Sequence, residues 1–384
     1  MDFTLSDEQV AIRQMAQDFA NDEIAPFAIE WDQGKFFPID TIRKAGALGL
    51  GGIYVREDVG GAGLGRMESV LIVEALATGC AAVASYISIH NMCAWMIDRF
   101  GNDEQRAYWL PALVTMEKLA SYCLTEPGSG SDAGALKTRA VLDDGNYVLT
   151  GQKQFISGAG TSDIYVIMAR TGDDGPNGVS AMIVPADASG LSFGANERKM
   201  GWNAQPTRAV ILDGVRIPVA NRLGNEGDGF KIAMAGLNGG RLNIAAASLG
   251  GSQSAYDKAL VYMKQRKAFG QRLAEFQALQ FSLADMAANL EMCRTFLWRA
   301  ATELEAGTND SITLCAMAKR LITDRCFEVA NSALQMHGGY GYLVDYGVEK
   351  IVRDLRVHQI LEGTNEIMNV IIGRSIVGRP PLDG

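Results

Sequence analysis

The sequence predicts an α+β chain of several domains: an N-terminal all-α domain over 1–118, a central antiparallel β domain over 119–225 and a C-terminal four-helix bundle over 226–384. Three observations predict it. Apolar residues recur at helical spacing through the first unit. Short β-rich runs then alternate with turn residues as far as Leu223, and from Phe230 the helical period returns.

Ser6, with Gln9 three residues on, is a capping-box pair that starts the first helix at Asp7 and sets Val10, Met15, Phe19 and Ile24 on one face. A shorter helix follows over 39–48, then the glycine loop Gly60-Gly61-Ala62-Gly63-Leu64-Gly65. One or two long helices rich in Ala, Met and Leu span 67–100, and another spans 103–113.

The β unit reads from Ser121-Tyr122-Cys123-Leu124, Tyr147-Val148-Leu149, Ile164 to Met168, Ala181 to Val184 and Ala209 to Leu212. Asp143-Asp144-Gly145-Asn146, Gly172 to Pro176 and Asp213-Gly214 are turn signals at the spacing of antiparallel strands. In the last unit Leu279, Leu283, Met286, Leu290, Cys293 and Leu297 step by four and three, the stripe of a bundle helix. Segments 309–336 and 364–377 repeat the pattern.

Composition narrows the function classes. With 384 residues, 48% hydrophobic and 21% charged, the chain can bury a large core, which excludes disorder. A net charge of −9 argues against nucleic acid, whose binding needs a basic surface, and leaves room only for a local cationic pocket for a phosphorylated ligand. The six cysteines form no C-x-x-C pair and read as reduced, buried thiols. No apolar run approaches the roughly 20 residues of a membrane span, so no membrane insertion is expected. No basic leader or Arg-rich transit stretch precedes Asp7, so the expected location is the cytoplasm, that of a bacterium.

One stretch near the C-terminus carries chemistry: Val357-His358-Gln359-Ile360-Leu361-Glu362-Gly363-Thr364-Asn365-Glu366. Glu362 lies between apolar residues and a glycine, where desolvation raises a carboxyl pKa and strengthens it as a base. Thr364 is placed to cap a helix carrying Ile367, Met368, Ile371 and Ile372, so Glu362 also reads as a plain helix-entry carboxylate. Gly128-Ser129-Gly130-Ser131-Asp132-Ala133 fits G-x-G-x-x-A, but the following Ala135 to Val141 reads as a strand, not a helix, which rules out a nicotinamide-binding turn. The same turn can hold polar cofactor atoms on its N–H groups or be a plain hairpin turn. Phe155, in Gln154-Phe155-Ile156-Ser157, reads as core or as an aromatic that stacks on a flat ring. Arg266 to Gln271 and Gln335 to Tyr342 put donors and glycines at helix ends, where a pyrophosphate can sit or a cap can form. Three histidines with no partner ligand read as structural donors, so no metal is expected, and no G-x-S-x-G nucleophile is present.

Together these residues resemble the acyl-CoA dehydrogenase family of flavoproteins along the whole chain. The resemblance rests on Tyr122-Cys123-Leu124-Thr125-Glu126-Pro127-Gly128-Ser129-Gly130-Ser131-Asp132 and Gln335-Met336-His337-Gly338-Gly339-Tyr340-Gly341. Ser88 to Asp98, Gly201-Trp202-Asn203, Gln205 to Arg208 and Gly236 to Arg241 add to it. It implies FAD as cofactor, lined by Tyr122, Leu124, Thr125, Gly130, Ser131, Phe155, Ile156 and Ser157, with Thr125 and Ser157 hydrogen-bonding the ring and Ser131 also reaching the CoA chain. Arg266, Phe269, Gln277, Gln335, Met336, Gly338 and Gly339 resemble the residues that hold the pyrophosphate and adenosine, partly those of a neighbouring subunit's FAD. Asn238, Arg241, Gly363 and Arg374 are the implied acyl-CoA ligands, Thr364 and Glu366 lie beside the cofactor, and Glu362 matches the catalytic base. In some relatives the base stands just before the arginine; here that position is Gly240. Phe155 stands where many members carry tryptophan.

The implied reaction is α,β-dehydrogenation of a short branched acyl-CoA, isobutyryl-CoA to methacrylyl-CoA in valine breakdown. Glu362 takes the α-proton, hydride passes to flavin N5 and electrons pass on to an electron-transfer flavoprotein. The implied assembly is a homotetramer, a dimer of dimers. Straight-chain butyryl-CoA, an oxidase that uses oxygen, and a flavin-free helical scaffold are the alternatives. Glu126, before Pro127, reads as structural.

Overall fold

The computed structural model describes residues 3–378. Helix α1 (Asp7–Phe19) begins as the capping box requires: the Ser6 hydroxyl accepts from Gln9 N at 3.2 Å, and the Gln9 side chain accepts from Ser6 N at 3.1 Å. It packs through its C-terminal half, where Ala16 and Phe19 are buried. Val10, expected on the inner face, is 44% exposed because the packed line of α1 runs through Ile12, Ala16 and Phe19, and with 3.6 residues per turn Val10 falls on the opposite side. A π-helical turn (Ala20–Ile24) then buries Ile24.

Helices α2 (Ala28–Gly34), α3 (Ile39–Ala47), α4 (Arg66–Gly79), α5 (Ala81–Phe100) and α6 (Asp103–Val114) complete the N-terminal unit. The long helical stretch is two helices, because extended Cys80 (φ −159°) interrupts it. Buried Asn91 of α5 links the loop to the helix: its amide donates to Leu50 O at 2.8 Å and its oxygen accepts from Ile53 N at 2.8 Å.

The β unit contains β1 (Ala120–Cys123), β2 (Arg139–Asp143), β3 (Asn146–Ser157), β4 (Ile164–Arg170), β5 (Val179–Pro185), β6 (Leu191–Phe193), β7 (Thr207–Pro218) and β8 (Arg222–Leu223). The sheet order is β6-β7-β3-β2-β4-β5-β8, with β1 also on β4. The hairpins are antiparallel, whereas β1 runs parallel to β4 and β2 meets β4 in parallel at Arg139 and Arg170. After Gly128-Ser129-Gly130 only a 3₁₀ turn (Ala133–Ala135) forms before β2, in keeping with the rejected dinucleotide turn. The β3/β7 register slips between Lys153 and Ile156. Such a bulge re-aims the side chain it contains. Here that is Phe155, at φ +60° and 64% exposed, so it is not a core residue.

Helix α7 (Gly229–Gln265), a short β9/β10 hairpin (Lys267–Ala268, Gln271–Arg272), α8 (Gln277–Glu305), α9 (Ser311–Met336), α10 (Val348–Arg356) and α11 (Asn365–Ile376) follow. Met286, Leu290, Cys293 and Leu297 of the α8 stripe are buried in a core that continues into α4 and α5, so the two helical units share one interior. A second core joins α5, α6 and the start of α7 to one face of the sheet. All six cysteines are buried free thiols. No helix among the described residues is long and apolar enough to cross a membrane.

Candidate active site

A cavity of about 1430 Å³ opens where the three units meet. The β unit contributes Tyr122, Leu124, Thr125, Gly130 and Ser131 from the end of β1 and its turn, and Phe155, Ile156 and Ser157 from the bulged end of β3. From the helical side come Met92 of α5, Leu237 and Arg241 of α7, and the stretch Leu361 to Thr364.

The segment bearing Glu362 joins α10 to α11. Its backbone there is left-handed at two consecutive residues, Glu362 (φ +56°) and Gly363 (φ +87°). A left-handed non-glycine residue costs about 1–2 kcal/mol and persists only where its surroundings hold it. They do so here. The Thr364 hydroxyl caps α11 by accepting from Ile367 N at 3.3 Å. Arg241 Nε donates to Glu362 O at 3.4 Å, and Lys319 Nζ donates to Gly363 O at 2.7 Å. Among the described residues the N–H of Glu362 has no acceptor.

Glu362 as a residue is half-buried, but its Oε2 is shielded from solvent and has no hydrogen-bond partner among the described residues. Burial raises the carboxyl to about 7, against the lowering pull of Arg241 and Lys319. Room for the carboxylate comes from α7: a Cβ on Gly240 would lie 2.6 Å from Glu362 Oε2. One turn earlier, a Cβ on Gly236 would lie 2.1 Å from Met96 Cε and 3.3 Å from Met92 Cγ. Residues four apart share a helix face and lie about 6 Å apart along its axis. The carboxylate and the two methionines are therefore set one turn apart along the same face of α7.

The other carboxylates are differently occupied. Glu126 is buried, accepts from Lys137 N at 2.6 Å and Thr138 N at 3.0 Å, and pairs with Lys153 Nζ at 2.7 Å. Burial pushes its acidity one way, but Lys153 and these donors outweigh it and hold the carboxyl below its usual range. Glu366, in the first turn of α11, is exposed and does not line the cavity.

The residues singled out in the sequence divide into two groups. Tyr122, Leu124, Thr125, Gly130, Ser131, Phe155, Ile156, Ser157, Arg241, Glu362, Gly363 and Thr364 share the cavity. Asn238 stands just behind it and accepts from Arg241 Nη1 at 2.7 Å. Arg374 lies on α11 away from the cavity lining. Arg266, Phe269, Gln277, Gln335, Met336, Gly338 and Gly339 are not brought to it either, since Arg266 follows α7 some 25 residues beyond Arg241, about 38 Å along the axis. Phe269 is 94% exposed, Gln277 and Gln335 are exposed, and the Met336 side chain packs into the bundle core.

Two groups with no role assigned from the sequence stand at the site. Trp202, in the cavity wall at φ +55°, is held by its N–H to Asp354 Oδ1 at 2.5 Å and by Nε1–H to His358 Nε2 at 3.1 Å. His358 in turn donates from Nδ1 to Ser248 Oγ at 2.7 Å. Burial, aided by Lys319, lowers this imidazole to about 3 and keeps it neutral. Lys319 is the second: a fully buried lysine on α9, signalled in the sequence only by its place beside the apolar positions Cys315, Ala318 and Ile322.

The residues present fit a flat, polar-edged cofactor such as FAD. The bulge turns an aromatic face to the cavity at Phe155, Thr125 and Ser157 bring hydroxyls to the same wall, and Gly130 leaves open space where a side chain would stand.

Models of known families match the chain in three consecutive parts: acyl-CoA dehydrogenase N-terminal domain over 6–117, middle domain over 121–215 and C-terminal domain over 227–377. The mitochondrial isobutyryl-CoA dehydrogenase of Bos taurus is 57% identical over 373 residues, covering 97% of this chain and 90% of that protein. The corresponding protein of Dictyostelium discoideum is 53% identical over the same shares. Among solved structures, butyryl-CoA dehydrogenase from Megasphaera elsdenii superposes with a TM-score of 0.95 at 37% identity, covering 98% of this chain and all of that one.

Proposed function

The chain belongs to the acyl-CoA dehydrogenase family of FAD-dependent oxidoreductases, and from that premise we propose that it desaturates isobutyryl-CoA, with Glu362 as the base that removes the α-proton. The observation that carries this reading is the solvent-shielded Oε2 of Glu362, unpartnered among the described residues, in a cavity that Met92 also lines about one helical turn away along α7. A carboxyl raised to about 7 is a stronger base than an ordinary glutamate and still largely ionised just above neutrality. The proton moves to Oε2. The charge that then develops on the thioester oxygen is met by the Glu362 N–H, which has no acceptor among the described residues. When bound, FAD supplies the acceptor for the hydride that leaves the β-carbon.

The substrate assignment draws on the two named relatives and on the short span between Glu362 and Met92, which suits an acyl group with one or two carbons beyond Cα. In this reading Thr125 and Ser157 hydrogen-bond the cofactor ring, with Tyr122, Leu124, Gly130, Phe155, Ile156 and Thr364 around it and Glu366 nearby. Ser131, Asn238, Arg241, Gly363 and Arg374 serve the acyl-CoA. Arg266, Phe269, Gln277, Gln335, Met336, Gly338 and Gly339 hold the pyrophosphate and adenosine of FAD, partly that of a neighbouring subunit in a homotetramer. Their distance from this chain's own cavity supports that division. An electron-transfer flavoprotein accepts the electrons, and the reaction serves valine breakdown.

The test is kcat/KM for isobutyryl-CoA against butyryl-CoA, with and without electron-transfer flavoprotein. The reading predicts at least a tenfold preference for the branched substrate and turnover that depends on the partner. A preference for butyryl-CoA would replace it with the straight-chain alternative, and full turnover on oxygen alone with an oxidase.

A further inference from the structure

Lys319 is fully buried, and its Nζ donates to Gly363 O at 2.7 Å and Asn365 Oδ1 at 2.8 Å. A buried ammonium costs free energy unless its charge is compensated. Both direct acceptors are neutral, so compensation falls to the carboxylates around it. The clamp extends further. Asn365 donates to Asp324 Oδ1 at 2.7 Å and Thr323 Oγ1 at 3.0 Å, and Gln359 donates to the same Asp324 oxygen at 2.8 Å. Helix α9 thus grips the loop on both sides of Glu362, while Arg241 of α7 holds the carbonyl of Glu362 itself.

We propose that Lys319 is a positioning residue for the base: through the Gly363 carbonyl it holds the left-handed turn that aims Glu362, and through its charge it sets how readily Glu362 ionises. The inference rests on the reading of Glu362 as base. Four charged groups besides Lys319 face this site: Arg241 from α7, Asp324 from α9, and Glu362 and Glu366 from the loop and α11. Neutral His358 also faces Lys319, and Tyr122 and Cys93 lie within the field of Glu362. Burial lowers the ammonium of Lys319 to about 7, partly restored by Glu362, and Lys319 in turn lowers Glu362. The two charges support each other across one peptide unit.

Acetyl-CoA provides a readout separate from turnover, because it has α-hydrogens and no β-carbon. Its exchange into D2O on the FAD-loaded enzyme, followed by proton NMR, reads proton abstraction alone. In the wild type, exchange is expected to rise with pH around a midpoint near 7. Lys319→Met should move that midpoint up by about one unit or more, the size expected for loss of a close opposite charge. The exchange rate at pH 7 should fall roughly tenfold, with recovery above pH 9. Lys319→Arg should restore the midpoint. An unchanged midpoint in folded, flavin-bound Lys319→Met would overturn the proposal, whereas exchange that survives in Glu362→Gln would overturn the reading of the base instead. If Lys319→Met does not fold, Lys319→Gln takes its place under the same criterion. If both uncharged variants fail to fold while Lys319→Arg folds, the lysine is a structural cation only and the proposal falls.

Discussion

The two ends of α7 behave differently. At the Arg241 end, the loop around Glu362 is held within one chain, with carbonyls bound by Arg241 and Lys319, a cap at Thr364 and a carboxylate fitted over Gly240. At the Arg266 end, the hairpin turn presents Phe269 at 94% exposure, Arg266 stacks on Tyr340, and Tyr342 is 82% exposed. A large aromatic that makes so few contacts at home, in a left-handed turn (φ +52°), is poorly explained by the stability of its own chain. The base machinery is held within one chain; the far end, in the proposed reading, meets a neighbouring subunit.

The largest test of that contrast is Glu362→Gln, which should leave FAD bound and the fold intact while turnover falls by about 10²-fold or more. Retention of most of the rate would remove the base from the near end. The same variant carries a stability signature. The folded-state carboxyl is raised to about 7 from 4.5, so between those values the folded protein holds a proton that the unfolded chain has released. Stability therefore falls as pH rises through that window, and the penalty, on the order of 1–3 kcal/mol, is complete above it. Melting curves should show Glu362→Gln more stable than wild type at pH 8 and equal to it near pH 4.5.

Phe269→Asp probes the other end and should weaken FAD binding by roughly 30-fold, the cost of losing one aromatic anchor, and loosen the oligomer. Flavin absorbance after dialysis and sedimentation velocity measure the two effects. Because Phe269 touches so little within its chain, monomer stability should hardly change. Unaltered flavin retention and assembly would erase the distinction between the two ends.

What could be read in the sequence follows the same division between local and distant causes. The Ser6–Gln9 box, the Thr364 cap and the end of α7 at Gln265 depend on neighbours in sequence and stand where expected. The exposure of Phe155 depends on a slip between β3 and β7, strands whose paired residues lie some 50 positions apart, so the local sequence favours a core position that the fold does not give it. Lys319 falls among buried positions of an amphipathic helix, where periodicity alone gives no reason for an ammonium; its partners lie more than 40 residues downstream. The clamp on Trp202 joins three segments, through Asp354, His358 and Ser248, for the same reason.

A smaller effect sharpens the near end. Met92 lines the cavity and packs, with Met96, against α7 at Gly236. Met92→Ala should lengthen the space beyond the β-carbon and shift relative kcat/KM from isobutyryl-CoA toward butyryl-CoA and longer chains by about tenfold. A substrate series of increasing chain length checks it, and an unchanged ranking would mean that another wall sets the limit.

The smallest effect separates stability from use at a single position. Gly240 lies inside a helix, where alanine is favoured by up to about 1 kcal/mol. The added methyl would meet only the tip of the Glu362 side chain, at 2.6 Å from Oε2, and that tip can swing away. Gly240→Ala should therefore melt slightly higher than wild type while turning over more slowly, because the carboxylate has been moved from the face it shares with Met92. A variant that gained stability at no cost in rate would show that the close approach of Oε2 to α7 does not matter for proton removal.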